Sequence, residues 1–281
     1  MTIENSAGRA LITGASSGIG RELAREFARH GHPVLLVAPV AAELRLLADE
    51  LEREFGVHAQ PLALDLTQAG AIAELAAHPE SADVEILVNN AGLGQRGKFW
   101  ETPLDRDLDM IRLNIEAVVR LTKHFLPLMV NRGHGRILNT ASIAGFEPGP
   151  LLAVYHASKA FVLSWSQALS IELEGTGVTA TALCPGPTDT DFFPKADLTE
   201  TNAFQKANVM PPQEVAEIGY RALMQGEAVE VAGGLNKAMV ASRRLMPKSV
   251  QARKNRKLYS RSGSQKRQRG DIEAKDSAQQ A

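Results

Sequence analysis

The short apolar run Ala10-Leu11-Ile12 passes straight into Thr13-Gly14-Ala15-Ser16-Ser17-Gly18-Ile19-Gly20, and a helical repeat of apolar residues follows over 21–30. After Gly31-His32-Pro33 comes a second apolar run, Val34-Leu35-Leu36-Val37. Strand, glycine turn, helix and strand in that order make a βαβ unit, in which two parallel strands are joined by a crossover helix. Glycines in such a turn let the backbone approach a pyrophosphate, and amides at the helix N-terminus attract its charge. The same turn also serves purely structural ends, so it decides nothing alone.

The alternation continues. A helix is predicted over 41–55 and a strand over 59–64 that ends at Asp65, where a carboxylate either meets an adenine amino group or caps a helix after Thr67. A strand over 85–88 runs into Asn89-Asn90-Ala91-Gly92, small and amide residues of the kind a crevice for a flat cofactor needs. One long helix over 104–131 carries Asn114 and an apolar stripe of Ile111, Ile115, Val118, Thr122, Phe125 and Met129, with Pro127 bending or ending it. A strand over 136–140 delivers Ser142, a strand over 178–184 leads to Pro185-Gly186, and a helix over 212–225 precedes a last strand over 228–232. Residues 191–210, irregular and holding Phe192, Phe193, Phe204 and Met210, read as a lid or a disordered loop. With 44% hydrophobic but only 5% aromatic residues, the composition suits helices packed closely on a buried parallel sheet. The expectation is a single α/β domain over 1–242 built on one doubly wound parallel sheet.

The helix over 154–174 opens with Tyr155-His156-Ala157-Ser158-Lys159. Residues four apart share a helix face, so phenol and ammonium lie on one surface, and a fixed cation lowers a phenol's pKa toward neutrality. Tyr155 then becomes a proton donor and acceptor. The pair alone fits an ordinary amphipathic helix; its place downstream of the glycine turn, the Asn-Asn-Ala-Gly run and Ser142 gives it weight.

Together these residues make the chain resemble the short-chain dehydrogenase/reductase family in its shorter, non-extended form, over roughly 8–232. The resemblance implies a Rossmann-like seven-stranded sheet, a nicotinamide cofactor, either NADP or NAD, and a catalytic set of Asn114, Ser142, Tyr155 and Lys159. Tyr155 is the implied general acid/base, and Ser142 the group that holds the substrate oxygen. Lys159 lowers the Tyr155 pKa and holds ribose hydroxyls, and Asn114 positions a water that links Lys159 to solvent. The implied cofactor site comprises Gly14, Ser16, Ser17, Gly18, Ile19, Gly20, Asp65, Asn90, Ala91, Gly92, Pro185, Gly186, Thr188 and Thr190, with Tyr155 and Lys159. The substrate is a small-molecule carbonyl or alcohol, expected to be apolar, and the long helices of such enzymes pair into homo-oligomers, dimers or tetramers. The second strand departs from the family's pattern. It ends Val37-Ala38-Pro39-Val40, with neither the acid that binds a ribose hydroxyl nor the base that binds a 2'-phosphate, and Glu43 is the first carboxylate. A modest NADP preference is therefore expected, with Ser16, Ser17, Arg21 or Arg45 near the phosphate.

The net charge of -1 conceals an asymmetry: residues 243–270 hold 11 Lys or Arg and no Asp or Glu, which leaves 20 basic against 32 acidic residues elsewhere, a net of -12. The segment 243–281 reads as a basic C-terminal tail, helical or disordered, outside the chemistry. It offers accessory contact to nucleic acid or an anionic membrane, and a catalytically silent nucleotide sensor is the other competing reading. The intact Asn114, Ser142, Tyr155 and Lys159 argue against a silent protein. Cys184, the single cysteine, excludes an intramolecular disulfide, and the histidines lack metal-ligand spacing, so no metal site is expected. The single cysteine suits the reducing cytoplasm, and since residues 1–9 lack a signal-peptide pattern and no run of about 18 apolar residues occurs, a soluble protein is expected.

Overall fold

The computed structural model describes residues 7–202 and 209–261. Phe204, expected in the lid, and the end of the basic tail lie outside them.

Seven strands form one parallel sheet in the order β3-β2-β1-β4-β5-β6-β7. They are β1 (Arg9–Thr13), β2 (Val34–Ala38), β3 (Ala59–Ala63), β4 (Val84–Asn89), β5 (Gly135–Thr140), β6 (Val178–Cys184) and β7 (Val229–Val231). Helices α1 (Gly18–Arg29), α2 (Ala41–Phe55) and α8 (Pro212–Gln225) cover one face. Helices α3 (Ala71–Ala77), α5 (Val118–Arg132) and α6 (Ala153–Glu172) cover the other. Alternate residues of one strand serve opposite faces. Ala10 and Ile12 pack with Leu23 and Phe27 of α1, while Leu11 between them packs with Leu121 and Phe125 of α5. Both sheet faces being covered, the strands are apolar runs, as expected of a parallel sheet.

The order reverses between β1 and β4, the first strand running to β2 and β3 on one side and the fourth to β5, β6 and β7 on the other. Crossovers that leave a sheet in opposite directions open a crevice at the carboxyl ends of the two central strands. The glycine turn, Asn90, Ser142 and Pro185 all lie at that edge.

The helix expected over 104–131 is three pieces: α4 (Leu104–Ile111), a π-helical segment (Arg112–Ala117) and α5. The wider turn inserts backbone without breaking the helix and rotates the register. Ile111 is therefore exposed, whereas Val118, Phe125 and Met129 face the core and Asn114 is 1% exposed. Pro127 stays inside α5 on its exposed side, where water can serve the carbonyl left without an N–H partner.

Position 242/243, the expected limit of the folded body, falls inside α9 (Gly234–Arg244), and α10 (Lys248–Leu258) follows. The buried face of α10 is polar, made by Gln251 and Asn255. Gln251 donates to the carbonyls of Arg243 and Met246, and Asn255 donates to that of Pro148. A core-facing helix is marked in sequence by an apolar repeat, and this helix has none.

Candidate active site

Each part of the crevice rests on a local device. Thr13, the last residue of β1, accepts hydrogen bonds on Oγ1 from the backbone N–H groups of Asn90 (2.9 Å) and Ala91 (3.0 Å), and its hydroxyl donates to Val88 O. Asn90 Nδ2 returns a bond to Thr13 O at 3.0 Å. The turns after β1 and β4 are thus one hydrogen-bonded unit. Gly18 opens α1 at φ +54, in the left-handed region, and a Cβ there would stand 2.9 Å from Thr190 Cγ2. A Cβ on Gly20 would stand 2.1 Å from the carbonyl oxygen of Gly14, so only glycine lets α1 approach β1 this closely. No side chain caps α1 and its first turn has no acid. Its N-terminal amides are left for an anion. That cradle fits the pyrophosphate of a dinucleotide.

A cavity of about 940 Å³ runs along this edge, and all the expected cofactor and catalytic residues except Asn114 line it. Such a volume suits a cofactor-sized or drug-sized ligand. Asn114 lies behind the wall. Its Nδ2 donates to Leu93 O (3.0 Å) and Ser158 Oγ (3.0 Å), and its Oδ1 accepts from Leu93 N (2.9 Å). A Cβ built on Gly92 would sit 3.4 Å from both Asn114 Oδ1 and Lys159 Nζ, so Asn114 and Lys159 flank the same glycine.

Tyr155 and Lys159 share one face of α6 at the end of β5. Burial pushes the Tyr155 phenol up to about 12, and its hydrogen bond with Ser142 only partly opposes this. Burial likewise pushes Lys159 down to about 8, with the Cys184 thiol opposing. The expectation that Lys159 lowers the phenol's pKa is not met. Its ammonium lies 6.0 Å from the Tyr155 ring centroid and donates to Thr140 O at 2.7 Å, and desolvation outweighs any help at that range. Ser142 Oγ accepts from Ala144 N at 3.1 Å, which fixes the serine at the head of a 3-10 turn (Ile143–Phe146).

Asp65 lines the cavity and also closes its own turn. Its Oδ1 accepts from Thr67 N (3.0 Å) and Thr67 Oγ1 (2.7 Å). Burial works against its ionised form, but these bonds and one from Gln68 outweigh it and hold the carboxyl below its ordinary range. The alternative reading of Asp65, a cap on a helix after Thr67, gives way to a turn, since α3 begins only at Ala71. Toward β2, the lining includes Ser16, Ser17, Val40 and Glu43, but neither Arg21 nor Arg45. Arg21 is held by Glu50 at 3.2 Å. Of the groups expected near a 2'-phosphate, only the two serines line the cavity.

At the other end the wall is apolar. Phe192, in the single turn α7 (Phe192–Lys195), lies 5.2 Å from Tyr155 between ring centroids, and Phe193, Leu152 and Leu198 pack around them. Met210, expected in the lid, instead pairs with Thr188 through backbone bonds and packs in the core. Sequence reading missed several groups of the site. Thr13, inside the glycine motif, acts through its hydroxyl, and Thr140 through its carbonyl, which no motif marks. His156, 2% exposed, is covered by Tyr259, far along the chain, and burial lowers its pKa. Among the described residues no group of His, Cys, Asp and Glu side chains is arranged to hold a metal, and no helix is long and apolar enough to cross a membrane.

The family model for short chain dehydrogenases matches residues 9–201. An uncharacterized oxidoreductase of Myxococcus xanthus is 35% identical over 227 residues, which is 80% of this chain and 87% of that one. A very-long-chain 3-oxoacyl-CoA reductase of Phaeosphaeria nodorum is 41% identical over 175 residues, 60% of this chain but 51% of the reductase; the chain spans about half of such relatives. Among solved structures, a short-chain dehydrogenase from Sphingobium yanoikuyae in complex with NADPH superposes with a TM-score of 0.76 at 33% identity, covering 86% of this chain and 98% of that one. A Burkholderia phymatum short chain dehydrogenase/reductase in complex with NAD gives a TM-score of 0.76 at 25% identity, covering 86% and 95%.

Proposed function

The chain belongs to the short-chain dehydrogenase family and is an oxidoreductase, and from that premise we propose that it interconverts an apolar carbonyl compound and its alcohol with NADP or NAD, Tyr155 carrying the proton. The observation that carries this reading is the convergence of Ser142, Tyr155 and Lys159 on the cavity that the glycine cradle also lines. When bound, the nicotinamide supplies or accepts a hydride at the substrate carbon. The turns at Gly14–Gly20 and Asn90–Gly92, together with Thr188, Thr190 and Lys159, hold the dinucleotide.

Ser142 and Tyr155 hold the substrate oxygen from one side. In reduction Tyr155 gives its proton to that oxygen; in oxidation it takes the proton back. A phenol pushed up to about 12 is fully protonated at neutral pH, which suits the reductive direction. Lys159, still largely charged at pH 7 with a pKa of about 8, stabilises the phenolate left behind. Asn114, bound to the Leu93 backbone and Ser158, keeps the loop after β4 in place beside Lys159, and in this reading it positions a water that links Lys159 to solvent, the route by which the phenolate regains its proton. Phe192, Phe193, Leu152 and Leu198 make the substrate end apolar.

Cofactor choice turns on the rim near β2. Ser16 and Ser17 admit a 2'-phosphate, and Glu43 opposes it, so the two cofactors are used within about tenfold of each other, a difference of 1.4 kcal/mol or less. A panel of aliphatic, aryl and steroid-like ketones, assayed by loss of reduced-cofactor absorbance, tests the reading. Turnover of apolar ketones supports it; absence of turnover across the panel in both directions and with both cofactors overturns it.

A further inference from the structure

The segment 245–261 folds back from the far end of the chain onto the substrate end of the cavity. Several contacts hold it there. Arg243, at its root, pairs with Glu147, whose side chain is 7% exposed. Asn255 Nδ2 donates to Pro148 O at 2.9 Å and Lys248 Nζ to Phe146 O at 2.8 Å, both in the loop that follows Ser142. Asn202 N and Nδ2 donate to the carbonyl of Ser260, and Thr201 forms a bridge with Arg261. Arg261 also reaches Asp197 (3.5 Å) and Glu200 (3.3 Å), while Arg96 grips the same Asp197 carboxylate at 2.6 Å. Asp197 itself is held at φ +57, a conformation that non-glycine residues adopt only at a cost. Three separate segments, the loop after β4, the loop after β6 and the segment ending at Arg261, therefore meet at one carboxylate.

Within this arm Tyr259 stands apart. It lines the cavity and packs on the apolar cluster of Leu152, Phe193, Ala196 and Leu198 that also contains Tyr155. His156 Nδ1 lies 2.8 Å from the carbonyl of Glu147, which can only accept, so Nδ1 carries the proton. Nε2 is then the acceptor for the Tyr259 hydroxyl at 3.0 Å. The neighbour of the proposed proton donor is thereby tied to a residue 103 positions further along the chain.

We propose that the arm is a fixed wall of the substrate compartment and that Tyr259 is its specificity-determining residue, its ring setting how large an apolar group fits beside Tyr155 and its hydroxyl latching the wall to His156. This rests on the reading that the cavity end beside Tyr155 receives the carbonyl substrate. The basic side chains of α10 face outward; its inward face does the closing.

The test uses the full chain with Tyr259→Ala and Tyr259→Phe. For Tyr259→Ala, the ratio of kcat/KM for a bulky aryl ketone to that for a small methyl ketone rises at least tenfold, while NADPH affinity, read by fluorescence titration, stays within twofold. Amide hydrogen exchange, which needs no substrate, speeds up in 192–202 and 143–149 and is unchanged in β1 and α1. Tyr259→Phe keeps the ketone ratio and raises KM several-fold for both. A ketone ratio within twofold of wild type in Tyr259→Ala overturns the specificity role, and unchanged exchange in 192–202 overturns the wall. A Tyr259→Phe enzyme identical to wild type overturns the latch. A wild-type enzyme that reduces no ketone sinks the proposed function instead, and the exchange measurement still decides whether the arm closes the compartment.

Discussion

Lys159 and Tyr155 share a cavity without sharing a hydrogen bond: the ammonium, 6.0 Å from the ring centroid, spends one proton on Thr140 O and keeps two for a ligand. At about that separation and an effective dielectric near 20, a unit charge attracts a phenolate by roughly 3 kcal/mol. Burial nonetheless holds the phenol up at about 12 in the resting site, so desolvation outweighs that charge there. The charge on Lys159 matters most at the moment the phenol gives up its proton.

Carbonyl reduction should accordingly be flat with pH up to neutrality and fall as pH rises through about 8, where Lys159 loses its charge. The loss should approach a hundredfold, the rate equivalent of about 3 kcal/mol. Profiles of kcat/KM from pH 6 to 10 on a ketone substrate check this. A reductive rate that climbs through pH 9 contradicts it.

Lys159 should also cost stability. Its native pKa of about 8 lies below the ordinary 10.5, so between those values the unfolded chain binds a proton that the native one does not, and stability rises with pH across that window. Below pH 8 the full penalty, about 3 kcal/mol, applies. Lys159→Met should therefore be the more stable protein at pH 7, by about 2 kcal/mol once the orphaned Thr140 carbonyl is counted, and the gap should close toward pH 10.5. Paired urea melts at the two pH values read it. A constant gap would contradict the assignment of the shift to burial.

Gly20→Ala places a methyl 2.1 Å from the carbonyl oxygen of Gly14, and backbone has to move. Overpacking of this kind costs about 1 to 3 kcal/mol. Because α1 must shift off β1, NADPH affinity should fall at least tenfold by fluorescence titration. Unchanged affinity would mean that the cradle does not hold the cofactor.

Glu43, in the first turn of α2, is the first carboxylate after β2 in the chain and lines the cavity. Glu43→Gln removes a charge that repels a 2'-phosphate and should raise the NADPH to NADH specificity ratio about three- to tenfold, a change of roughly 0.7 to 1.4 kcal/mol. Steady-state constants for both cofactors on one ketone measure it. A ratio that falls would place the phosphate elsewhere.

Where a residue's role follows from local chain direction, the sequence sufficed. The apolar strands around Leu11, Leu35, Leu87 and Ile137 and the glycine turn at Gly18 and Gly20 all announce themselves in short windows, and the sheet follows from their order. Asn114 was legible as a residue but not in its setting, since a π-helical turn leaves no mark in an apolar repeat. The arm reads as a tail in sequence for a related reason: Gln251 and Asn255 bury amides where a core-facing helix ordinarily carries leucines. The sign of the Tyr155 shift was missed because spacing along a helix gives proximity but says nothing of burial, and burial dominates here.

The account stands most directly on Tyr155→Phe, measured for turnover of an authentic ketone and for NADPH affinity in the same preparation. General acid catalysis contributes about 100- to 10,000-fold, and Tyr155 is the phenol hydrogen-bonded to Ser142, so kcat should fall by that factor while NADPH affinity stays within about twofold. A variant that keeps more than about a tenth of wild-type kcat contradicts the assignment of the proton to Tyr155.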